Sequence, residues 1–246
     1  MSVLINEKID NLLKTTSRSF YPTLKYLPKK VRGQIGLLYL LARVADTIAD
    51  SKSGETEELL ILLREYNAVA QGKLEQLPDF SKLADIQDNA HEAELLRNVR
   101  DVVDGLMVYS EGDRQRMLEC LDIIVGGQIL DLERFGPAKE GGSLSALKDN
   151  SELDDYTFRV AGCVGVFWTK MSLAHLITIT SEKESEFFEK GVRFGKALQM
   201  INILRDIPED LRFGRCYIPE KELSRHGMKP EDLLDSTNIK KFRPLY

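Results

Sequence analysis

Two pairs of aspartates, Asp46 with Asp50 and Asp206 with Asp210, have the spacing at which a helix projects both carboxylates from one face. Such a pair can offer two oxygen donors to one cation. Magnesium suits that role, because it takes a few carboxylates and fills its other positions with water and substrate phosphates. A cation held this way ties the protein to a diphosphate and, as a Lewis acid, stabilises the charge of its departure. One pair alone is weak evidence, since aspartate is common enough here for about one such spacing to arise by chance.

The neighbours of each pair strengthen the reading. Tyr39, Arg43, Asp46 and Asp50 follow one another by four, three and four residues, a single helical stripe. Gln199, Asn202, Asp206 and Asp210 form a second stripe, with Arg205 beside it and Arg215 just beyond. Leu38, Leu40 and Leu41 flank the first row, and Met200, Ile201, Ile203 and Leu204 flank the second. A surface helix keeps its polar residues on the outward face, whereas a helix apolar nearly all round is buried. Both rows are therefore expected to face an enclosed cavity, where arginine forks match phosphate oxygens. Pro208 lies inside the second pair and removes a helical hydrogen bond, so the helix is expected to end or kink there.

The run from Val160 through Ala161, Gly162, Cys163 and Val164 to Gly165 places two glycines in a helical stretch, at a cost of about 1 kcal/mol each relative to alanine. Two gains could offset that cost. Either helices approach closely there, or the floor is kept small so that a long apolar tail can lie against the backbone. His91, His175 and His226 are isolated and read as surface or satisfied core residues rather than metal ligands. Asp101 with Asp104, and the acids from Glu152 to Asp155, lack an accompanying arginine or tyrosine row and read as a solvated face or a cap. Neither a glycine-rich phosphate loop nor a dinucleotide fingerprint appears. Lys240, Lys241 and Arg243 are too few for a membrane-surface patch.

The elements that must position these residues are helical. Val31, Ile35, Leu38, Ala42, Ala45 and Ala49 step by three or four, and Pro28 stands just before them, where a missing N–H costs little. Gly54 separates this helix from one around 57–70. Ser151 with Asp154 and Ser181 with Glu184 read as capping boxes, and further helices are expected over 90–109, 114–134 and 187–204. Segments 71–82 and 135–145 read as loops. With no alternating strand pattern, repeat or linker, the fold class is all-α in a single domain. The composition is ordinary, 43% apolar and 30% charged, and a net charge of −5 gives no reason to expect a nucleic-acid partner. Cys120, Cys163 and Cys216 are sparse and unpaired in spacing, as in a reducing compartment. The N-terminus lacks the pattern of a signal peptide and no apolar run reaches spanning length, so a cytoplasmic location is expected, with any contact to membrane lipids made from the surface, at the inner face of the membrane.

Four segments in order closely resemble the squalene/phytoene synthase family: Ser17 to Phe20; Tyr39 to Asp50 with Arg43 and Asp46; Tyr156 to Gly165; and Gln199 to Asp210, leading on to Gly214, Arg215 and Pro219. The resemblance implies an all-α isoprenoid synthase fold. Carried over by position, Asp46, Asp50, Asp206 and Asp210 would hold two or three Mg2+ ions through diphosphate, with Asn202 and Gln199 assisting at the second site. Arg18, Arg43, Arg205 and Arg215 would grip diphosphates, and Ser19 and Phe20 would join the substrate site. Tyr39 and Tyr156 would sit beside the reacting carbons, and Val160, Ala161, Gly162, Val164 and Gly165 would floor a prenyl tail.

The implied reaction is a head-to-head condensation of two farnesyl diphosphates through presqualene diphosphate to a C30 product. NADPH enters if that product is squalene. The segment 46–50 resembles squalene-forming members more than phytoene-forming ones. The alternatives are phytoene synthesis from geranylgeranyl diphosphate, a terpene cyclase or chain-elongating prenyltransferase, and a non-catalytic relative serving as a binding or assembly module. The resemblance also implies peripheral membrane contact for product release and leaves oligomeric state open. Family members carry further helices after the segment ending at Pro219, so a C-terminally short domain is expected over 1–246.

Overall fold

Thirteen helices account for most of the computed structural model, which describes residues 4, 6–17, 20–51, 55–138, 141 and 143–245. In order they are α1 (Glu7–Ser17), α2 (Phe20–Tyr26), α3 (Lys29–Ala49), α4 (Thr56–Ala70), α5 (Ser81–Asp85), α6 (Ala90–Arg97), α7 (Val99–Asp104), α8 (Glu111–Phe135), α9 (Asn150–Thr157), α10 (Cys163–His175), α11 (Ser181–Arg212), α12 (Glu220–Arg225) and α13 (Ile239–Phe242). The only strands among the described residues are the two-residue β1 (Ser145–Ala146) and β2 (Arg215–Cys216), paired in parallel with Ser145 opposite Arg215. The all-α class expected from the sequence is the class observed.

The apolar stripe of α3 forms the centre of the main core. Leu38, Leu40, Leu41, Val44, Ala45 and Ile48 are buried there, against Leu59 and Leu63 of α4 and Leu121 and Val125 of α8. A smaller core gathers Leu147, Tyr156, Ile203, Leu211, Tyr217, Ile218 and Leu223, where β1 and β2 tie the loop after α8 to the chain after α11. The two acidic rows lie along the seam between these cores. Gly214, with φ of 76°, makes the turn that brings the chain from α11 back into β2, a conformation only glycine adopts freely.

Several local expectations are corrected. The helix expected over 90–109 is broken at Asn98, whose amide donates back to the Glu94 carbonyl at 2.7 Å and its carboxylate at 2.8 Å; a 3-10 turn then follows at Gly105–Val108. The cap of α9 is Asp149 rather than Ser151: its carboxylate accepts from the Ser151 and Glu152 N–H groups, while Glu152 accepts from the Lys148 N–H at 2.8 Å. Thr180 precedes α11, and its side chain makes no capping bond. Pro208 does not end α11, which runs on to Arg212. Between α9 and α10 the helix widens into one π-turn, Phe158–Gly162, and such turns are frequent at functional sites. Among the described residues, no helix is long and apolar enough to cross a membrane.

Candidate active site

The first row occupies the last turns of α3. Asp46 is enclosed, and Gln128 of α8 donates to its Oδ1 at 2.5 Å. Burial, then the neighbouring Asp50, pushes the Asp46 carboxyl up to about 7, against the opposing pull of Arg43 and the Gln128 bond. Both acids also face the negative end of the helix dipole, which adds to the local excess of negative charge. Arg43 is shared between its own row and α6: its guanidinium meets the Glu92 carboxylate at 2.5 Å while its charge also acts on Asp46. Tyr39 lies on Phe20 of α2, ring centroids 4.7 Å apart. Arg18 and Ser19 fall outside the described residues.

The second row occupies the last turns of α11, again at a negative helix end. Asp206 takes both guanidinium bonds of its neighbour Arg205 at 2.7 Å, and this pairing holds its carboxyl below the ordinary range. Asp210 is pushed up to about 7 by burial and then by Asp206, against the pull of Arg215; Asp50 of the other row raises it further. Asp50 in turn accepts from Arg215 Nη1 at 3.1 Å. Arg215 therefore links Asp50 of the first row to Asp210 of the second, Asp46 joins them only through its neighbour Asp50, and Asp206 is tied to the exposed Arg205. Gln199 and Asn202 bond one another at 3.3 Å on the same face of α11.

Tyr156 lies between the rows. Its hydroxyl receives a bond from Gln199 at 3.4 Å. Burial raises its phenol well above the ordinary range, and carboxylates from three helices, Asp131, Asp210 and Asp50, add to that shift. A cavity of about 360 Å3 opens beside it, lined by Asp46, Asp50, Gln128, Tyr39, Phe20 and Trp168 among others. It shares Phe20, Tyr39, Val160, Val164, Trp168 and Gln199 with a larger, more apolar groove of about 800 Å3 that runs between α10 and α11 past Ala161, Gly165, Phe194 and Asn202.

Close helix contact explains the glycines directly. A Cβ on Gly165 would stand 2.0 Å from the Gly191 carbonyl oxygen, and one on Gly195 would stand 2.3 Å from that of Ala161. Gly165 also lines the groove, whereas Gly162 is buried against Phe158, Val192 and Lys196 and lines neither cavity. The burial expected around the second row holds for Ile203 but not for Ile201, which is 59% exposed; Phe194 and Leu198 on α11 are 67% and 48% exposed. No described element packs over that face.

A model of the squalene/phytoene synthase family matches residues 13–246, nearly the whole chain. The chain belongs to the squalene/phytoene synthase family. Members of this family are prenyltransferases that join prenyl diphosphates head to head. Among relatives, the chain is 28% identical over 232 residues to a bifunctional lycopene cyclase/phytoene synthase of Pyrenophora tritici-repentis, covering 93% of this chain and 36% of that protein. It is also 28% identical over 214 residues to a presqualene diphosphate synthase of Rhodopseudomonas palustris, covering 87% of this chain and 62% of that one. The chain thus spans between about a third and two thirds of the length of these relatives. The fold matches that of TcSQS bound to the ligand E5700, with a TM-score of 0.72 at 19% identity over 96% of this chain and 64% of the other.

Within this squalene/phytoene synthase site, the donor set fits a divalent cation shared with diphosphate. Two aspartate pairs end at negative helix termini, and burial first, then a neighbouring carboxylate, disfavours the charged form of Asp46 and of Asp210, a cost that a bound cation would relieve. Among the described residues, no three His, Cys, Asp or Glu side chains gather as a ligand cage. The nearby Arg43 and Arg215 each retain a buried Nε–H with no acceptor among the described residues.

Three contributors escaped the sequence reading: Gln128, Asp131 and Tyr217. Gln128 and Asp131 lie three residues apart on α8 among Ile124, Val125, Ile129 and Leu132. A polar row on an apolar helix is the signal that singled out the other two, and it was available here as well.

Proposed function

We propose that the chain carries the site of a head-to-head condensation of two farnesyl diphosphates, through presqualene diphosphate, to a C30 product. The observation that carries this reading is that Asp50 and Asp210, from rows 160 residues apart, act on one another and on Tyr156. Tyr156 lines a cavity of mixed polarity with Asp46 and Asp50; Asp206 and Asp210 themselves line neither cavity, so of the two acid pairs only the first faces it as expected.

In this reading Asp46 and Asp50 would hold Mg2+ on one side, and Asn202, Asp206 and Asp210 on the other. When bound, the cation supplies Lewis-acid stabilisation of the leaving diphosphate. Arg215 and Arg205 offer guanidinium donors to phosphate oxygens, and Arg43 can join them if it exchanges Glu92 for phosphate. The C1–O bond of one substrate breaks, and the C2–C3 double bond of the second captures the allylic cation. Loss of a proton then closes the cyclopropane, giving presqualene diphosphate and one released diphosphate. The faces of Phe20, Tyr39 and Trp168 stabilise the cation where water is excluded by Val160, Ala161, Val164 and Gly165. In this reading Tyr156, whose hydroxyl accepts from Gln199, would receive or hold the proton. A second ionisation and rearrangement gives the linear product. NADPH supplies a hydride if that product is squalene, and loss of a proton suffices for dehydrosqualene.

A second reading, condensation of C20 diphosphates to phytoene, is favoured by relatives that carry that name. Purified protein incubated with Mg2+ and either farnesyl or geranylgeranyl diphosphate, with and without NADPH, separates the two by product mass. A C30 product from the C15 substrate is the expected result. A C40 product alone selects the second reading. Absence of any condensation product or Mg2+-dependent diphosphate release overturns both and leaves a binding module.

A further inference from the structure

Two ties between α3 and α8 bracket the smaller cavity. At its acid end Gln128 of α8 donates to Asp46 of α3. At the other end Gln34 of α3 donates to Asp113 of α8 at 3.0 Å, and His175 of α10 meets the second oxygen of the same carboxylate at 2.8 Å. The two helices therefore run antiparallel along the cavity, and α3, α8 and α10 are knotted together where it stops. Between the ties α3 contributes one stripe to the wall: Asp46, Ala42, Tyr39, Leu38 and, innermost, Ile35. Ile35 is 3% exposed and adjoins Gln34 of the knot. Val164 and Trp168 of α10 line both the cavity and the larger groove, and so stand at the boundary between them.

We propose that Ile35 is the stop that limits the prenyl chain in this cavity to three isoprene units. Ile35 lies eleven residues before Asp46, a distance of about 16 Å along a helix. An extended chain of three isoprene units spans roughly 15 Å by its carbon–carbon bonds, and a fourth unit adds roughly 5 Å. With its diphosphate held beside Asp46 and Asp50, the shorter chain ends against the Ile35 side chain and the longer one collides with it. The obstacle has little room to retreat, because the core is close-packed and the Gln34–Asp113–His175 knot holds the three helices together behind it. The larger groove has no such end: Phe194, one of its walls, is 67% exposed. This inference rests on the condensation proposed above and names the residue that would make its substrate C15 rather than C20.

Equilibrium binding tests the stop without requiring turnover. The full chain and its variants Ile35→Ala and Ile35→Phe are titrated by calorimetry, in the presence of Mg2+, with non-hydrolysable diphosphate analogues carrying C10, C15 and C20 chains. Wild type is expected to bind the C15 analogue roughly tenfold or more tighter than the C20 one, the size of effect that a misfitting apolar group gives in a shaped pocket. Ile35→Ala deepens the cavity and should cut that preference by roughly fivefold or more. Ile35→Phe shortens the cavity and should move the preference toward C10. Leu63→Ala on α4, a fully buried residue that lines neither cavity, controls for loosening of the core and should keep the wild-type order of lengths. Equal or tighter binding of C20 by wild type overturns the proposal. So does a length preference that Ile35→Ala leaves unmoved or that Leu63→Ala moves as far. Should Ile35→Phe fail to fold, Ile35→Ala and its control decide. Absence of any condensation product from wild type counts against the condensation alone, since the order of binding is read without it.

Discussion

Arg215 Nη1 donates to Asp50 Oδ1 at 3.1 Å, joining the strand after α11 to the end of α3 across 165 residues of sequence. The Arg215 side chain is only 11% exposed, and its charge lowers the carboxyls of both Asp210 and Asp131. One guanidinium therefore balances three acids from three helices. The arrangement depends on the left-handed turn at Gly214, which delivers Arg215 to the seam rather than to solvent.

Replacing Arg215 should separate charge from geometry. Arg215→Lys keeps the charge but not the fork, and is expected to raise KM for a prenyl diphosphate roughly tenfold, about the loss of one charge-assisted bond. Arg215→Ala removes the charge as well, leaving Asp131 with Arg134 and Tyr217 but Asp50 and Asp210 less opposed; because Asp50 is more than half exposed, folding stability should fall by only about 1–3 kcal/mol. Steady-state kinetics and urea denaturation read the two effects. Equal behaviour of the Lys and Ala variants in both assays would contradict this account.

Gln128 supports Asp46 from α8 without contacting phosphate in the proposed reaction. Gln128→Leu should raise the Mg2+ concentration needed for half-maximal activity by roughly tenfold, as expected when the partner that orients a metal ligand is lost. The saturating rate should change less. A magnesium titration of the condensation checks this, and an unchanged midpoint would show that the 2.5 Å bond has no part in orienting Asp46.

Helical periodicity made most of this fold legible, because α3, α4, α8 and α11 each bury or expose residues at a repeat that sequence displays directly. The two acidic rows were legible for the same reason: polar residues at helical spacing interrupt apolar helices. Pairings across helices were not. That Arg43 would hydrogen-bond Glu92 as well as act on Asp46 depends on where α6 packs, and nothing in the segment around Arg43 encodes the position of α6. Asp131 was visible as a polar residue on α8, but its significance lies in Tyr217, 86 residues away. The exposed face of Phe194, Leu198 and Ile201 escaped for a related reason: apolar flanks state a preference for burial, and only tertiary packing decides whether a partner is present.

Asp113 ties three helices and should make stability acid-sensitive. Burial raises its carboxyl, but bonds from Gln34 of α3 and His175 of α10, with the charge of Arg116, outweigh that and hold it below the ordinary carboxylate value. A carboxyl depressed on folding stabilises the native state above its unfolded value, near pH 4, and loses that contribution as the pH falls through the folded value. Asp113→Asn should cost about 1–3 kcal/mol at pH 7 and progressively less below pH 4. Urea denaturation of both proteins across pH 3–7 checks this, and a difference that does not shrink on acidification would rule it out.

The contact between α10 and α11 sets the width of the groove, and glycine sets the contact. At Gly165 an added methyl would lie 2.0 Å from a backbone oxygen of Gly191, which no side-chain rotation can relieve, so α10 must move off α11. Gly165→Ala should therefore cost about 1–3 kcal/mol or more through overpacking, despite the better helix propensity of alanine. Gly72→Ala offers the contrast: its φ is +71° and nothing lies within 4 Å of an added Cβ, so only backbone strain of about 1 kcal/mol is expected. The two variants should also differ in function. Moving α10 shifts Val160, Val164 and Trp168, which line both cavities, so Gly165→Ala should lose prenyl-chain binding beyond what its lost stability explains, whereas Gly72→Ala should bind as wild type does. Thermal denaturation, alongside binding of a non-hydrolysable prenyl diphosphate analogue, separates the two effects. Wild-type affinity in folded Gly165→Ala protein would mean that the groove tolerates helix displacement and that its width does not govern substrate fit.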